Sequence, residues 1–498
     1  VADAFAVLAE SRGERCRLVR RGDGYTEAVT GGAYTVEPGS AADLERLFAD
    51  VDRDGGPFRG AVLHLWNLDR PDLARCDRQA LGDHTGPGSY SLIALARVLL
   101  ARGVGGSLHI VTRGAQPVLP GEAVEPLGAP AWGVGRVLRH QELVGHPGKL
   151  IDLDPLSPPG PDAVRADAEA LLREVLSDDE EEIALRSGGR RTSRLRPAEG
   201  LTRPLPLRLR ADGSYLVTGA FGALGRLLCR TLVRRGARRL VLVGRTPVPA
   251  REKWGGTDPA TAEGRSVALL RELEALGAQT VLAPLDITDE EALTGWLDAY
   301  RHSGAPPVRG VFHLAGQVRD TLVTDLDRSA FDAVHDPKTV GAFLLHRHLR
   351  DEPLDHFVLF ASIASLLTTA GQTNYAAGNA FLDALAHHRR AQGLPALSLD
   401  WGPWATGMIE ELGLVDHYLH SRGMSSLAPE AGMGVLERVI GQDHAQLIVA
   451  TVVDWPVFLA WYPAPPPLVA ELAAAAAPQA SGGSGNAFLD AFGAADED

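Results

Sequence analysis

From residue 215 onward, unbroken apolar runs recur along the chain. Residues 215–218, 239–244, 280–285, 310–314, 356–361, 396–401 and 447–451 are rich in Val, Leu, Ile and Phe. A strand with one wet face alternates apolar and polar residues; a strand covered on both faces does not. The seven runs therefore predict a parallel sheet enclosed between two layers. Segments between them carry apolar residues at helical spacing, as in 226–235, 266–276 and 343–349, so the connections read as crossover helices. Seven strands joined in this way predict a doubly wound sheet.

The first 200 residues show a less regular version of the same alternation. Strand-like 61–66, 107–112 and 149–153 are interleaved with helix-like 90–102, 129–141 and 161–177, and Gly103 is a stop signal after the first of these helices. Residues 182–195, with Gly-Gly-Arg-Arg at their centre, read as a closing hairpin. No strand here runs into a Gly-rich turn. Gly103, Gly105 and Gly106 follow a helix and precede a strand, the reverse of the order a dinucleotide site needs. This half is read as a cofactor-free, structural α/β unit. A Pro/Arg-rich stretch at 201–210 separates the halves, and Pro-, Ala- and Ser/Gly-rich sequence after Tyr462 reads as a flexible tether. The expected domains are 1–205, structural; 206–462, catalytic; and 463–498, linker and tail.

Composition narrows the function. With 45% hydrophobic and 22% charged residues among 498, the chain has the make-up of a soluble globular protein of two or three domains. The net charge of -14, with both signs interspersed, speaks against nucleic acid as a partner. Apolar runs stop short of the ~18 residues that suggest a membrane span. Three cysteines (Cys16, Cys76, Cys229) in no paired spacing make neither a disulfide framework nor a metal site, which suits a reducing cytoplasm. The chain begins at Val1 directly in apolar sequence, and it is expected to be a piece of something longer.

Candidate chemistry gathers at the ends of the predicted strands. The strand at 215–218 enters Gly219-Ala-Phe-Gly222-Ala-Leu-Gly225 and then a helix. Glycines let a backbone approach a pyrophosphate, and a helix N-terminus supplies N–H groups and a positive dipole. Thr218, Gly219, Phe221, Gly222, Leu224 and Gly225 are therefore assigned to a dinucleotide. The second strand ends in Gly244, Arg245 and Thr246 where an NAD site usually carries a carboxylate. An arginine there welcomes a 2′-phosphate, so the expected cofactor is NADPH. Asp286 is assigned to the adenine side, and Ala315 and Gly316 to the nicotinamide side. Further along, the run at 356–361 delivers Ser362, and a helix after Gly371 carries Tyr375 and, one turn later, Asn379 on the same face. A phenol with an ordinary pKa of about 10 needs a nearby cation to act as an acid near neutrality. Lys338, upstream on the helical segment after the fourth strand, is the candidate.

Taken together, these motifs resemble a ketoreductase domain of a modular type I polyketide synthase, within the short-chain dehydrogenase/reductase superfamily. The likeness runs nearly end to end: Val111-Thr-Arg-Gly-Ala-Gln116, Trp132-Gly-Val-Gly-Arg136, the glycine turn, Val243-Gly-Arg245 and His313-Leu-Ala-Gly316. It continues through Pro337-Lys338, Gly341-Ala342, the stretch from Gly371 through Tyr375 and Asn379 to Asp383, and Asp400-Trp-Gly-Pro-Trp404. Most short-chain reductases carry lysine four residues after the tyrosine and asparagine upstream; here, as in the polyketide family, Asn379 and Lys338 are exchanged. The resemblance implies an α/β fold of two Rossmann-like short-chain-reductase subdomains, the first degenerate and structural, the second a seven-stranded doubly wound parallel sheet. It implies reduction of a β-ketoacyl thioester on the phosphopantetheine of an acyl carrier protein, with the other domains of a parent synthase as further partners. Tyr375 would protonate the alkoxide, Ser362 hold the carbonyl oxygen, and Lys338 lower the tyrosine pKa and contact the cofactor together with Tyr375. Asn379 would order the site.

Stereocontrol rests on two departures. Relatives making the B-type alcohol carry Leu-Asp-Asp after the His-x-Ala-Gly segment; here the triplet is Val318-Arg319-Asp320. Relatives making the A-type alcohol carry Trp eight residues before the tyrosine; here it is Leu367. Together they favour a B-type, D-configured (3R) hydroxyl. Asp320, Leu367, Gln372, Trp404 and Met408 are assigned to substrate and stereocontrol, and residues 407–427 to a lid. The competing readings are a reductively silent scaffold or epimerising domain, a docking module, and a freestanding reductase of small ketones. The intact Tyr, Ser, Lys and glycine turn disfavour the first two, and the N-terminal half disfavours the third.

Overall fold

The computed structural model describes residues 1–27, 32–103, 105–157, 159–199, 201, 207–245, 248–406, 415–452 and 454–476. Thr246, Met408 and residues 477–498, singled out above, lie outside them.

The N-terminal half holds α1 (Ala2–Glu10), β1 (Val19–Arg21), β2 (Tyr34–Val36), α2 (Ala41–Gly55), β3 (Ala61–His64), α3 (Arg78–Thr85), α4 (Ser91–Arg102), β4 (Ser107–Arg113), α5 (Ala129–Val137), β5 (Leu150–Leu153), α6 (Pro161–Val175), β6 (Glu182–Arg186) and β7 (Gly189–Thr192). Its main sheet runs β3-β4-β5-β6-β7, parallel until the antiparallel β6–β7 hairpin. Gly103 ends α4 in the left-handed region, at φ 59°, as its position in the sequence implied. The first 55 residues were not legible in this way. Strand β1 exposes two of its three residues, so it carries no hydrophobic signature.

This sheet's carboxyl edge is occupied by its own side chains. Asp152, fully buried on β5, accepts from Thr112 Oγ1 (2.7 Å), Ala115 N (2.8 Å) and Arg186 Nη2 (2.8 Å). The loop after β4, where a Rossmann unit takes a nucleotide, is thereby tied down onto β5 and β6.

The second half builds β8 (Ser214–Thr218), α7 (Ala223–Arg234), β9 (Arg239–Val243), α8 (Ala262–Ala275), β10 (Gln279–Ala283), α9 (Glu290–His302), β11 (Val308–His313), α10 (Arg328–His348), β12 (His356–Ser362), α11 (Thr373–Ala391) and β13 (Leu397–Trp401). Then follow α12 (Val415–Arg422), β14 (Met424–Ser425), α13 (Pro429–Val439), β15 (Gln446–Val449), β16 (Thr451–Val452), α14 (Trp455–Leu459) and α15 (Ala470–Ala476). The sheet order is β10-β9-β8-β11-β12-β13-β15, parallel throughout. Successive residues enter opposite cores: Leu216 and Val311 join one cluster, Val217 and Phe312 the other. The order reverses between β8 and β11, which opens a crevice at their carboxyl ends.

Helix α10 is longer than the 343–349 segment read from the sequence, because it continues through Pro337. A proline inside a helix leaves the carbonyl four residues back without its donor. Here that carbonyl, on Ala333, accepts from Gln317 Nε2 at 2.7 Å. The tail also needs correcting. Residues 467–476 are helical, Val469 is fully buried, Leu195 N donates to Leu468 O and Arg196 pairs with Glu471. A packed segment therefore occupies sequence that was read as tether, because its few apolar residues close over the Ile363–Tyr462 cluster.

The halves meet where α5 lies against α11. Gly133 makes this contact close: a Cβ there would come 2.4 Å from Ala376 O. Gly133→Ala should therefore lose about 2 kcal/mol of stability through overpacking. Gly434→Ala, with nothing within 4 Å of the added carbon, should be neutral or slightly stabilising in its helix. Thermal denaturation of both variants checks the pair; an unaffected Gly133→Ala would contradict the contact.

Candidate active site

Helix α11 lines up Tyr375, Asn379 and Asp383 at spacings of four, one stripe along its length. Its first turn is held by Asn374, whose Oδ1 accepts from Tyr375 N at 2.8 Å while Nδ2 donates to Arg319 O and Ala330 O. Lys338 comes in from α10 with its stem running between two glycines. Cβ atoms at Gly316 and Gly378 would lie 3.2 and 3.3 Å from its side-chain carbons. Its Nζ donates to Phe360 O at 3.1 Å and lies 5.2 Å from the centre of the Tyr375 ring. The lysine and tyrosine, 37 positions apart in the sequence, are thus brought together.

Only 4% of Lys338 is exposed. Burial pulls its ammonium down from 10.5 to about 8, against the opposing charge of Asp383 and Asp400. Below that value it remains a cation. Asn379, wholly buried, donates Nδ2 to Tyr375 O at 2.8 Å, and its Oδ1 has no hydrogen-bond partner. Ser362 ends β12, as expected. Its Oγ accepts from Ala364 N at 3.3 Å, while its proton faces Trp401 O at 3.5 Å. That distance is long for a hydroxyl donor, so the proton is available to a better acceptor.

The glycine turn fits a dinucleotide on its own geometry. Gly219 sits at φ +68°, and a Cβ at Gly225 would come 2.2 Å from Gly219 O. Gly222 is the N-cap of helix α7 and offers no side-chain cap, which leaves the first-turn N–H groups for an anion. Thr218 Oγ1 accepts from Leu314 N and Ala315 N at 3.1 and 3.0 Å, locking the two walls of the crevice together. Gly244 N donates to Ala283 O, and Phe221 lies over Gly244. Arg245 reaches Asp286 at 3.7 Å with 71% of its side chain exposed. An ion pair this exposed is worth little, so Asp286 holds Arg245 only weakly.

The assigned substrate residues divide. Gln372 donates Nε2 to both oxygens of Asp320, at 3.2 and 3.3 Å, and the two form a rim beside Tyr375. Desolvation raises the Asp320 pKa, with Gln372 and Arg422 of α12 opposing it. Leu367 and Trp404 do not join this rim. Leu367 is buried with Met424, Phe458 and Tyr462. Trp404 packs on Trp401 and so closely on α13 that a Cβ at Gly432 would overlap its ring. Both are large apolar side chains buried against a core within their reach. Of the expected lid, residues 407–414 are outside the described part; Met424 and Ser425 pair antiparallel with β16.

Several site residues went unassigned in the sequence. Glu142, from the N-terminal half, accepts from Gly371 N (2.9 Å), Thr373 Oγ1 (3.3 Å) and Val323 N (2.5 Å), tying the Asp320 loop to the start of α11. No local pattern announces such a contact. Asp383 had a signal, its spacing of four from Asn379. Among the described residues no helix is long and apolar enough to cross a membrane, and no cluster of His, Cys, Asp or Glu could hold a metal ion.

Comparison with known proteins finds relatives of both halves. The family described as KR domain matches residues 213–406, and the one described as Polyketide synthase extender module SpnB, Rossmann fold domain, matches residues 26–195. A phenolphthiocerol/phthiocerol polyketide synthase of Mycobacterium tuberculosis is 35% identical over 350 residues, 69% of this chain and 18% of that one. An erythronolide synthase of Saccharopolyspora erythraea is 36% identical over 369 residues, 73% of this chain and 11% of that one. The chain thus spans under a fifth of these relatives. Among solved structures, the first ketoreductase of the tylosin polyketide synthase superposes with a TM-score of 0.71 at 31% identity, covering 94% of this chain and 91% of that one. An A-type ketoreductase from a modular polyketide synthase gives 0.71 at 30%, covering 88% of each.

The buried lysine makes a stability prediction. A group whose folded pKa is depressed binds fewer protons folded than unfolded between the two values, so stability rises with pH across about 8 to 10.5. Below pH 8 the buried charge is a cost. Lys338→Met should therefore unfold at a higher temperature than the wild type at pH 7, and the gap should narrow as pH approaches 10.5. A variant less stable than wild type at pH 7 would contradict this.

Proposed function

The chain belongs to the ketoreductase domains of modular polyketide synthases, and on that premise we propose that it reduces the β-keto group of an acyl thioester borne by an acyl carrier protein, with NADPH. The observation that carries this reading is the buried Lys338 ammonium held 5.2 Å from the Tyr375 ring, at the carboxyl edge of a sheet whose first turn is built for a pyrophosphate.

NADPH, when bound, supplies the hydride. The protein's part is to receive the charge that develops on the substrate oxygen. Ser362 donates its loosely held proton to that oxygen, and Tyr375 protonates it. A phenol gives up its proton near neutral pH only if its anion is stabilised, and the Lys338 cation does that from within a site where little water screens it. Pre-placed donors at an oxygen gaining charge account for most of the acceleration in such sites. Asn379 fixes the first turns of α11, and its remaining acceptor suits a water that returns the proton. The 2′-phosphate falls to Arg245.

Asp320, gripped by Gln372 beside the tyrosine helix, supports B-type approach of the substrate and a 3R alcohol. The other domains of the parent synthase, the carrier among them, are the proposed partners.

Two measurements test this. Incubated with NADPH and a racemic 2-methyl-3-ketopentanoyl thioester, the wild type should consume reduced nicotinamide and give the D-configured alcohol. Tyr375→Phe should be slower by about 10²–10⁴-fold. Equal rates, or no turnover by the wild type, would sink the reductase reading; an L-configured product would sink the Asp320 reading alone. Arg245→Ala should weaken NADPH about tenfold, the loss of one charge-assisted contact, and leave NADH nearly unaffected. Equal loss for both cofactors would refute the 2′-phosphate role.

A further inference from the structure

Beneath Lys338, two acidic side chains are buried on facing elements. Asp383, on the Tyr375 stripe of α11, is 7% exposed, and Asp400, on β13, is fully buried. Ser398 and Asp400, two apart on β13, share one face of that strand, and Ser398 Oγ reaches Asp383 on α11, so the two carboxyl groups face each other between strand and helix. Their hydrogen-bond partners are unequal. Asp383 Oδ1 accepts from Ser398 Oγ at 2.6 Å and its Oδ2 from Ser365 Oγ at 2.8 Å. Asp400 Oδ2 accepts from Gln446 Nε2 at 2.7 Å, and its Oδ1 has no donor.

An ionised carboxylate only accepts hydrogen bonds, so two of them cannot bond to each other. Two like charges in contact in a dry site also do not both persist. One proton removes both conflicts. It turns the orphaned Asp400 Oδ1 into a donor and leaves a single charge on Asp383, the partner with two hydroxyl donors. We propose that Asp383 and Asp400 share one proton, carried by Asp400, and that the charge left on Asp383 is what keeps Lys338 an ammonium beside Tyr375.

The surroundings agree. Burial raises the pKa of both acids, and Asp400 further because the Asp383 charge adds to it, as expected for a pair that titrates as a unit. The pair faces Lys338 from α11 and β13, with Asp383 the larger influence on it. The other charged or titratable groups facing the pair are Arg136 of α5, itself paired with Glu182, and His387, which meets Gln446 at 3.3 Å. On its far side Asp383 reaches a cavity of about 680 Å³ between the two halves, also lined by Arg136, Glu182 and Gln446. That cavity gives the shared proton a route to solvent. Asp383 and Asp400 are thus positioning residues acting through Lys338. The inference deepens the proposed reductase site and rests on that reading only for its consequence in turnover.

The chain has three lysines, Lys149, Lys253 and Lys338, so lysine side-chain NMR on ¹⁵N-lysine-labelled protein follows Lys338 directly, with no cofactor or substrate present. In D400N the amide N–H takes over the acid O–H and the Asp383 charge remains, so Lys338 should titrate where it does in the wild type. In the double variant D383N/D400N no carboxylate is left in the pair, and the titration should fall by about one pH unit. Infrared spectra at neutral pH should show the C=O stretch of a protonated carboxyl in the wild type and lose it in D400N. Equal Lys338 titrations in D400N and D383N/D400N, or no such band in the wild type, would overturn the proposal. Should the double variant not fold, the unmoved lysine and the lost band in D400N decide it. Because neither readout uses turnover, a wild type that reduces no β-ketoacyl thioester would defeat the reductase reading and leave the acid pair to be judged on its own.

Discussion

A positive charge in a dry site is the constraint on which the catalytic half depends. An isolated ammonium transferred to an apolar interior carries a penalty of several kcal/mol, and Lys338 is almost wholly enclosed. The surrounding structure answers this group by group. Phe360 lends a carbonyl, the Tyr375 ring lends its face, and the Asp383–Asp400 pair lends one opposing charge. Gly316 and Gly378 stand aside for the stem. Pro337, the residue before it, removes one helical hydrogen bond, and Gln317 makes good the loss. Each of these features costs something taken alone. They make sense as the housing of one cation.

The N-terminal half contributes to that housing although it carries none of the assigned chemistry. Arg136, paired bidentately with Glu182, extends Nη1 to Ser365 O at 2.8 Å, and Ser365 in turn donates to Asp383. Glu142 joins the Asp320 loop to the N-terminus of α11, and Arg97 donates to Val323 O in that same loop. With its own carboxyl edge filled by Asp152 and Arg186, this half is a support whose side chains reach into its neighbour's loops. A reductase sheet alone would lack the donors and acceptors that hold its rim.

Much of the fold was legible because buried parallel strands announce themselves. All seven strands of the second sheet lie where continuous apolar runs predicted them, within one or two residues. The glycine turn was legible for a similar reason, since close backbone approach admits one residue type. What escaped was marked by no composition: the exposed β1, the helical tail at 467–476, and Glu142. Leu367 and Trp404 show how packing competes for such positions. The family resemblance assigned them to substrate and stereocontrol; in the structure both are large apolar side chains with a core within reach, and both are buried in it.

By itself, then, the sequence determined which residue types exist for the chemistry and on which kind of element each sits. Periodicity sets strand and helix, and the spacing of four between Tyr375, Asn379 and Asp383 puts them on one face whatever the surroundings. Only the tertiary structure decided the relations between elements distant in the chain. It brought Lys338 from α10 to the ring of Tyr375, set Asp400 of β13 against Asp383 of α11, and gave Asp320 to Gln372. Those relations depend on how α10, α11 and the sheet pack, and packing is settled by the sum of contacts over both halves rather than by any local pattern.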